Sequence, residues 1–143
     1  MSLTLTLQEG DWASLSEAAG AIRRCVFIVE QQVPQEEEWD GLDPHCRHFL
    51  AYRGMQALGA ARLLPDGHIG RVAVLTEARG QGVGRALMEA AIACAQRHGH
   101  RRVVLSAQTH ALAFYESLGF VSQGEEFLDA GIPHLEMVRP LTG

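Results

Sequence analysis

Three glycines at alternate positions form the segment of this chain that is best suited to bind a ligand. They lie in the run Arg79-Gly80-Gln81-Gly82-Val83-Gly84. Glycine adopts positive φ readily and lets other groups approach its main chain, so successive backbone N–H groups can converge on an anion. The run therefore predicts a phosphate-binding loop.

The residues on either side of this loop predict a strand before it and a helix after it. The apolar positions are Ile69, Val72 and Val74 before the loop, then Val83, Leu87, Ala91 and Cys94 at helical spacing. The first N–H groups of a helix have no intrahelical partner, and the helix dipole favours negative charge there. A phosphate group would thus meet both the loop and a helix N-terminus.

Other phosphate-binding motifs fit these residues less well. A Walker A loop ends in Gly-Lys-Ser/Thr, and this chain contains no lysine. A dinucleotide fingerprint has the spacing Gly-x-Gly-x-x-Gly and an acidic residue about twenty positions later, whereas the later region here begins at Arg102 with an apolar run. On these residues alone, a glycine-rich turn without a ligand stays open.

Two ordered motifs resemble the GNAT N-acetyltransferase superfamily. The segment from Val72 to Leu87 is similar to its acetyl-CoA signature, a strand, Arg/Gln-x-x-Gly-x-Gly/Ala and a helix. The segment 111–120 resembles its later motif, in which a tyrosine on a short helix precedes Leu-Gly-Phe. Segments 26–31 and 131–137 look like the ElaA-type branch. The resemblance spans nearly the whole chain.

The resemblance implies an α+β (mixed α/β) fold for a single domain over residues 1–143. Its sheet would be mixed, mostly antiparallel, built of about six to seven strands, flanked by helices and splayed beside the cofactor. Periodicity places the first strand at Leu3, Leu5 and Leu7, then a helix that follows Asp11 and ends before Pro34. The later predictions are a loop over 35–46, strands at 47–53, 56–64, 68–75, 102–107, 120–128 and 134–139, and helices up to about His98 and over 111–118.

The cofactor implied by the resemblance is acetyl-CoA, used as a cosubstrate. Its pyrophosphate would be held by the N–H groups of Gln81 through Gly84, with charge-assisted partners on Arg79 and Arg85. The pantetheine arm and the oxyanion would meet the backbone of Val72, Ala73 and Val74. Gln108, where many relatives carry asparagine, would add an amide contact.

Direct attack by an amine requires a proton donor for the thiolate and a proton acceptor for the ammonium. The resemblance gives the first role to Tyr115, although a Phe-Tyr pair also packs helices against sheets. For the base we expect either Glu30 or His134. Burial would raise the pKa of Glu30 towards neutrality, unless Glu30 is a solvated carboxylate at a helix end. Histidine exchanges protons near neutral pH but is often only structural.

The composition of the chain restricts the classes of molecule that it is expected to bind. A net charge of −5 argues against nucleic-acid binding and favours a cationic acceptor, a small-molecule or peptide amine. Cys25, Cys46 and Cys94 are widely spaced, which suggests neither a disulfide framework nor zinc. Without a signal segment or membrane span, we expect a cytoplasmic protein, monomeric or homodimeric.

Two further questions are the role of the acidic loop over residues 35–46 and whether the protein is an enzyme at all. Residues 40–48 contain Asp, His and Cys, but their spacing fits no common metal signature, so we expect no metal. We expect this loop to shape the acceptor pocket, with Trp39 as an exposed wall and the acids attracting an amine. A second hypothesis is a non-catalytic acyl-CoA-binding or regulatory module.

Overall fold

Strands and helices alternate along residues 4–141, which the computed structural model describes. The strands are β1 (Leu5–Gly10), β2 (Arg47–Arg53), β3 (Gln56–Leu63), β4 (Ile69–Val74), β5 (Arg102–Gln108), β6 (Val121–Asp129) and β7 (Ile132–Pro140). The α-helices are α1 (Trp12–Arg23), α2 (Gln35–Glu38), α3 (Val83–Arg97) and α4 (Leu112–Glu116). The predicted mixed α+β fold is confirmed. Most predicted strand ends lie within two residues of these bounds, and the first strand ends three residues later than predicted, at Gly10.

The strands form two antiparallel sheets that meet at one point. The first has the order β1-β2-β3-β4 and the second the order β5-β7-β6. A single parallel bridge joins His68, just before β4, to Val104 in β5, and the Val104 N–H donates to the Gly67 carbonyl at 3.1 Å. Beyond this bridge, β4 and β5 do not pair, so the sheet opens there.

Helices cover the two faces of the first sheet. Leu87, Met88 and Ala91 of α3 pack in one core cluster with Phe49 and Ala51 of β2. The opposite cluster holds α1 against the alternate strand positions, with Leu15, Ala19 and Ile22 on Leu50, Ala60 and Ala73. Because successive side chains of a strand point to opposite faces, α1 and α3 lie on opposite sides of the sheet.

The first helix begins where the sequence predicts but changes type before its end. The Asp11 carboxylate accepts a hydrogen bond from the Ser14 N–H at 2.9 Å, which caps the helix. The α-helix ends at Arg23, and residues Arg24–Glu30 continue as a π-helix rather than as the single helix predicted up to Pro34. Leu3, assigned to the first strand, lies outside the described residues.

The predicted loop over residues 35–46 contains more structure than expected. It holds the short helix α2 and a 3-10 turn over Asp43–His45.

No helix within residues 4–141 combines the length and the apolar character that crossing a membrane requires. The cytoplasmic location stays a prediction.

A bulge interrupts the pairing of β4 with β3. Ala60 pairs with Ala73 and Arg62 pairs with Gly70, so Arg71 and Val72 together face Ala61. Arg71 has a φ of 49°, in the left-handed region that side chains seldom adopt. A bulge leaves one residue unpaired and re-aims side chains, and here it turns Arg71 away from the regular alternation of the strand.

We expect Gly59→Ala to destabilise the fold by about 1–3 kcal/mol, because it overpacks the contact between β3 and α3. A Cβ at Gly59 would lie 2.9 Å from side-chain atoms of Leu87 and Val83 and 3.0 Å from the Ala73 carbonyl oxygen. The measurement is the free energy of unfolding in urea.

Gly20→Ala provides the matched control. A Cβ at Gly20, inside α1, would meet no atom within 4 Å. Alanine is better than glycine in a helix interior by roughly 0.5–1 kcal/mol, so this variant should be more stable than the wild type. Equal effects of both substitutions would contradict the packing of α3 on β3.

Candidate active site

The opening between β4 and β5 forms a cleft of about 1070 Å³. Its walls are β4 and β5, the π-helix, the glycine loop with the start of α3, α4, and the turn between β6 and β7. Because β4 and β5 share only one bridge, the backbone groups on these facing strand edges are free to bind an extended ligand. The predicted cofactor strand and glycine loop therefore line the same cavity.

The glycine loop leads into an uncapped helix N-terminus. Gly80 and Gly82 have φ of 77° and 83°, and a Cβ on either would meet no atom within 4 Å. Gly82 immediately precedes α3, and no side chain in the described part of the chain caps this end. The first intrahelical hydrogen bond runs from the Ala86 N–H to the Gly82 carbonyl. The N–H groups of Val83, Gly84 and Arg85 therefore have no acceptor within the helix. This arrangement is suited to a phosphate group.

Tyr115 lies on α4 and lines the cleft from the side of α3. Its ring packs edge-on against Phe114 and Phe120, at centroid distances of 5.0 and 6.1 Å. Burial raises the pKa of Tyr115 to about 12, so the hydroxyl keeps its proton at neutral pH. Among the described residues no side chain forms a hydrogen bond with it. The hydroxyl can therefore donate to a ligand in the cleft.

His134 lies on β7 and faces the opposite side of the opened sheet. His134 of β7 is paired with Gln108 of β5. The preceding residue of β5, Ala107, packs in the core cluster that contains α3. Since strand positions alternate, His134 and Gln108 point away from α3. His134 is 7% exposed, and its ring stacks on Phe127 at 5.8 Å.

One nitrogen of the His134 imidazole forms a hydrogen bond with the backbone. Nδ1 lies 2.7 Å from the Ile132 carbonyl oxygen, and a carbonyl can only accept, so Nδ1 carries the hydrogen. In the neutral ring Nε2 then keeps its lone pair. No described residue donates to Nε2. Because His134 lines the cleft, this atom can accept a proton from a bound molecule.

Glu30 ends the π-helix and is paired with Arg79. The guanidinium of Arg79 donates to both carboxylate oxygens at 2.7 Å and to the Val74 carbonyl at 3.0 Å. These hydrogen bonds, outweighing burial, hold the pKa of Glu30 below its usual value. Of the two alternatives open for Glu30, the one with a pKa raised by burial is therefore wrong, since the Glu30 side chain is 41% exposed and charge-paired.

The sequence matches the family model described as an acetyltransferase (GNAT) domain over residues 16–141. The chain belongs to the GNAT acetyltransferase family. The Bacillus subtilis uncharacterized N-acetyltransferase YjcF is 42% identical over 122 residues, which cover 82% of this chain and 87% of that protein. Escherichia coli protein ElaA is 36% identical over 126 residues, which cover 82% of each chain.

Solved structures agree with this assignment. The crystal structure of E. coli ElaA superposes with a TM-score of 0.85 at 33% identity, covering 94% of this chain and 99% of that chain. The crystal structure of an acyl-CoA N-acyltransferase from Pseudomonas aeruginosa has a TM-score of 0.82 at 39% identity, covering 95% of this chain and 99% of that chain. The fold thus matches that of GNAT acyltransferases, and the resemblance to the ElaA-type branch is confirmed.

Two predicted cofactor contacts of this GNAT chain are occupied by protein groups. Arg79 is engaged by Glu30 and Val74, as described above. The Gln108 amide donates to the Gln31 side chain at 3.0 Å, and its oxygen lies 2.7 Å from His110 Nε2. By contrast, Arg85 lines the cleft, and within residues 4–141 its guanidinium donates only to Ser117 Oγ, at 3.0 Å. Arg85 is therefore the loop arginine better placed to face an anion.

The acidic loop of this GNAT domain holds an internal ion-pair network. Arg23 donates to Glu38 at 2.8 Å and to Asp43 at 2.7 Å. Arg62 donates to Asp43 at 2.9 Å and to Asp40 at 2.5 Å. Arg71, displaced by the bulge, lies 3.2 Å from Glu38 and 3.3 Å from Asp40. The network balances three arginines with three acids.

One expectation for this loop is wrong in part and another is wrong. Glu38, Asp40 and Asp43 are neutralised by arginines, so these three acids do not attract an amine, although Glu37 of the same loop lines the cleft and forms no ion pair with a described residue. Trp39 is half-buried rather than an exposed wall, because Arg23 lies over its ring at 4.9 Å. Among the described residues, no three His, Cys, Asp or Glu side chains form a metal-binding group.

The sequence reading missed the arginines that hold this loop. Arg62 and Arg71 stand within strands that are otherwise apolar, and Arg23 stands within the apolar stripe of the first helix. A buried arginine needs a carboxylate partner, and the acidic loop lies close by in sequence. This combination was the available signal, although it could not specify which acid pairs with which arginine.

We expect Asp43→Asn to destabilise the protein by about 3–5 kcal/mol, because it leaves two buried arginines without a shared charge partner. Burial acts to raise the pKa of Asp43, but the hydrogen bonds and charges of Arg23 and Arg62 outweigh it and lower the pKa. Burial is likewise outweighed at Asp40, mainly by Arg62. The measurement is the free energy of unfolding in urea at neutral pH.

The pH dependence of the same variant tests the ion pairs. A carboxylate with a lowered pKa stabilises the fold above its unfolded pKa, about 3.9, and loses this effect as pH falls towards its folded pKa. The gap in stability between wild type and D43N should therefore narrow below about pH 4. Glu17→Gln, which removes an exposed charge on α1, should stay within about 0.5 kcal/mol. A constant gap would contradict the network.

Proposed function

We propose that this protein transfers an acetyl group from acetyl-CoA to a primary amine, by direct attack within a ternary complex. The observation that carries the proposal is the placement of three features in one cleft. An uncapped helix N-terminus faces it, the Tyr115 hydroxyl lines it on the α3 side, and His134 lines it on the opposite side of the sheet. The domain would span residues 1–143.

The cofactor's pyrophosphate would bind at the glycine loop. The N–H groups of Gln81, Gly82, Val83 and Gly84, with those of the first turn of α3, would donate to its oxygens, and Gly80 provides the turn. Arg85 would add a charge-assisted hydrogen bond. Arg79 would act at this site through the backbone it holds, because its guanidinium already has three acceptors.

The pantetheine arm would lie along the free edge of β4. An extended chain can hydrogen-bond an unpaired strand edge as an added strand would. Val72, Ala73 and Val74 follow the bulge at Arg71, where the regular pairing of the strand is broken. A backbone N–H of this segment would donate to the thioester carbonyl and stabilise the oxyanion formed on attack.

The two proton-transfer steps are assigned to opposite faces of the sheet. His134 Nε2 would accept the proton of the acceptor ammonium, directly or through water, so that the free amine attacks the thioester carbon. Attack gives a tetrahedral oxyanion whose nitrogen still carries one proton more than the amide product. As this oxyanion collapses, the carbon–sulfur bond breaks, Tyr115 donates its proton to the departing thiolate, and the nitrogen releases its extra proton to water, which leaves a neutral amide. The Tyr115 phenolate then regains a proton from water. Glu30 is the weaker candidate for the base, because Arg79 occupies both its oxygens and lowers its pKa.

Two acids in the cleft favour a cationic acceptor. Glu37 and Asp129 line the cavity and are exposed, and neither forms an ion pair with another described residue. The remaining acids of the lining are paired with arginines. Unpaired carboxylates favour an ammonium group over a neutral or anionic one. A homodimer and a monomer are both compatible with this site.

The first experiment separates an enzyme from a non-catalytic acyl-CoA-binding module. Calorimetric titration with CoA and with ATP-magnesium would be followed by turnover assays on a panel of primary amines with acetyl-CoA. We expect CoA to bind and ATP-magnesium not to bind, because the loop has no lysine and no adjacent hydroxyl for magnesium. Binding without turnover on any amine would favour the module.

We expect Tyr115→Phe to lower kcat by roughly 10²–10⁴-fold while changing the Kd of CoA by less than about twofold. Phenylalanine keeps the ring packing against Phe114 and Phe120 but removes the proton donor. Steady-state kinetics and calorimetry provide the two numbers. An equal loss of affinity and rate would make Tyr115 a packing residue.

We expect His134→Gln to lower kcat/KM by about 10²-fold or more and to remove the fall of the rate towards acid pH. In the wild type this fall should occur because the protonated imidazole cannot accept another proton. Glutamine preserves a side chain that donates to the Ile132 carbonyl but provides no comparable base. A pH profile that retains its acid limb in the variant would assign the base elsewhere.

A further inference from the structure

Glu30 and Gln31, at the C-terminal end of the π-helix, lie where β4 and β5 have separated. The π-helix spans Arg24–Glu30, and the next residue, Gln31, closes it with an N–H bond to Val26 at 3.1 Å. Gln32 then turns the chain with a φ of 59°. Helical segments of this type are rare, and they occur often at functional sites. Here the segment ends where β4 and β5 have separated.

Glu30 reaches the β4 side of the opening. Its carboxylate holds Arg79 at two positions, and Arg79 in turn donates to the carbonyl of Val74, the last residue of β4. Thr76, in the turn after β4, adds a hydroxyl contact to the same carboxylate at 3.4 Å. Glu30 is thus connected to the end of β4 and to the first residue of the glycine loop.

Gln31 reaches the β5 side. Its side-chain oxygen accepts a hydrogen bond from Gln108, the last residue of β5, at 3.0 Å. Gln108 also contacts His110, which lies in the turn before α4. Gln31 is therefore connected to the end of β5 and to the segment that leads to Tyr115.

We propose that Glu30, Gln31, Arg79 and Gln108 form a brace that fixes the distance between the diverging ends of β4 and β5. Adjacent residues of one helix end hold two strands that share no hydrogen bond at this level. The brace rests on the proposed function for its purpose, since the pantetheine arm would pass between these strand ends. It makes Glu30 and Gln31 positioning residues rather than catalytic residues.

The brace predicts a specific split between binding and chemistry. A gap of the wrong width should weaken cofactor binding, because the free strand edge and the helix N-terminus would no longer face the same ligand together. The proton-transfer groups Tyr115 and His134 are not in the brace. Removing a brace contact should therefore raise the KM of acetyl-CoA more than it lowers kcat at saturation.

The test uses Glu30→Gln, Arg79→Gln and the double variant, with Gln31→Ala, Gln108→Ala and their double as a second set. For each single variant we expect the Kd of CoA by calorimetry and the KM of acetyl-CoA to rise about fivefold, with kcat within about twofold and the pH profile unchanged. Each double variant should be no worse than its worse single variant, because both changes remove the same contact. Glu89→Gln, on the exposed face of α3, is the control and should match the wild type.

Hydrogen–deuterium exchange on the unliganded proteins tests the brace without reference to activity. Residues 74–80 and 105–110 should exchange about fivefold faster in the single variants than in the wild type, since local opening becomes easier at both strand ends. Unchanged exchange in both segments would overturn the brace even if the protein is an acetyltransferase. Wild-type protein that does not bind CoA would instead overturn the proposed function, while the exchange data would still decide the brace.

A catalytic role for Glu30 would give a different pattern. Glu30→Gln would then lower kcat by about 10²-fold or more, remove the acid limb of the pH profile and leave the Kd of CoA unchanged. Arg79→Gln would not reproduce that loss of the acid limb. This outcome, or additive effects of the two substitutions on the Kd, would also overturn the brace.

Discussion

The separation of β4 from β5 is the constraint on which the site depends. Parallel strands normally continue to exchange hydrogen bonds, but here one bridge at His68 and Val104 is followed by two unpaired edges. Unpaired backbone groups need partners in water or in a ligand. The same separation exposes the N-terminus of α3 to the cavity on one side and His134 on the other. A continuous sheet would have provided none of these groups to a ligand.

Where β4 and β5 separate, no backbone hydrogen bonds between them fix the distance from one strand to the other. The bridge fixes one end of the opening. The protein supplies side-chain contacts at the other end, from Glu30 to Arg79 and from Gln31 to Gln108. An exposed ion pair contributes little to overall stability, but it can select one local geometry among several. The ion-pair network of Arg23, Arg62 and Arg71 has a comparable role for the loop that forms the adjacent wall, with the difference that most of its charges are buried.

Local sequence patterns predicted much of this architecture. The alternating glycines, the capping Asp11 and the apolar periodicity located the loop, α1 and α3, because each depends on residues close together in the chain. The family motifs placed Tyr115 and His134, and both side chains line the cleft. Patterns could not predict the π-helix, since the buried Val26 continues the helical spacing of Ala19 and Ile22 across the change of helix type. They also could not show that Arg79 pairs with Glu30, forty-nine residues away in sequence. That contact lowers the pKa of Glu30, so of the two alternatives open for this residue the one with a pKa raised by burial is wrong.

The distribution of charge across the cleft follows from which groups remain unpaired. Several charged groups of its lining neutralise one another, including Arg79 with Glu30 and Arg71 with Glu38. The helix N-terminus and Arg85 then leave one region positive, whereas Glu37 and Asp129 leave another negative. An anionic cofactor and a cationic amine would each find a region of opposite charge. Because paired charges contribute little field at a distance, a chain with a net charge of −5 can still present a positive site for phosphate.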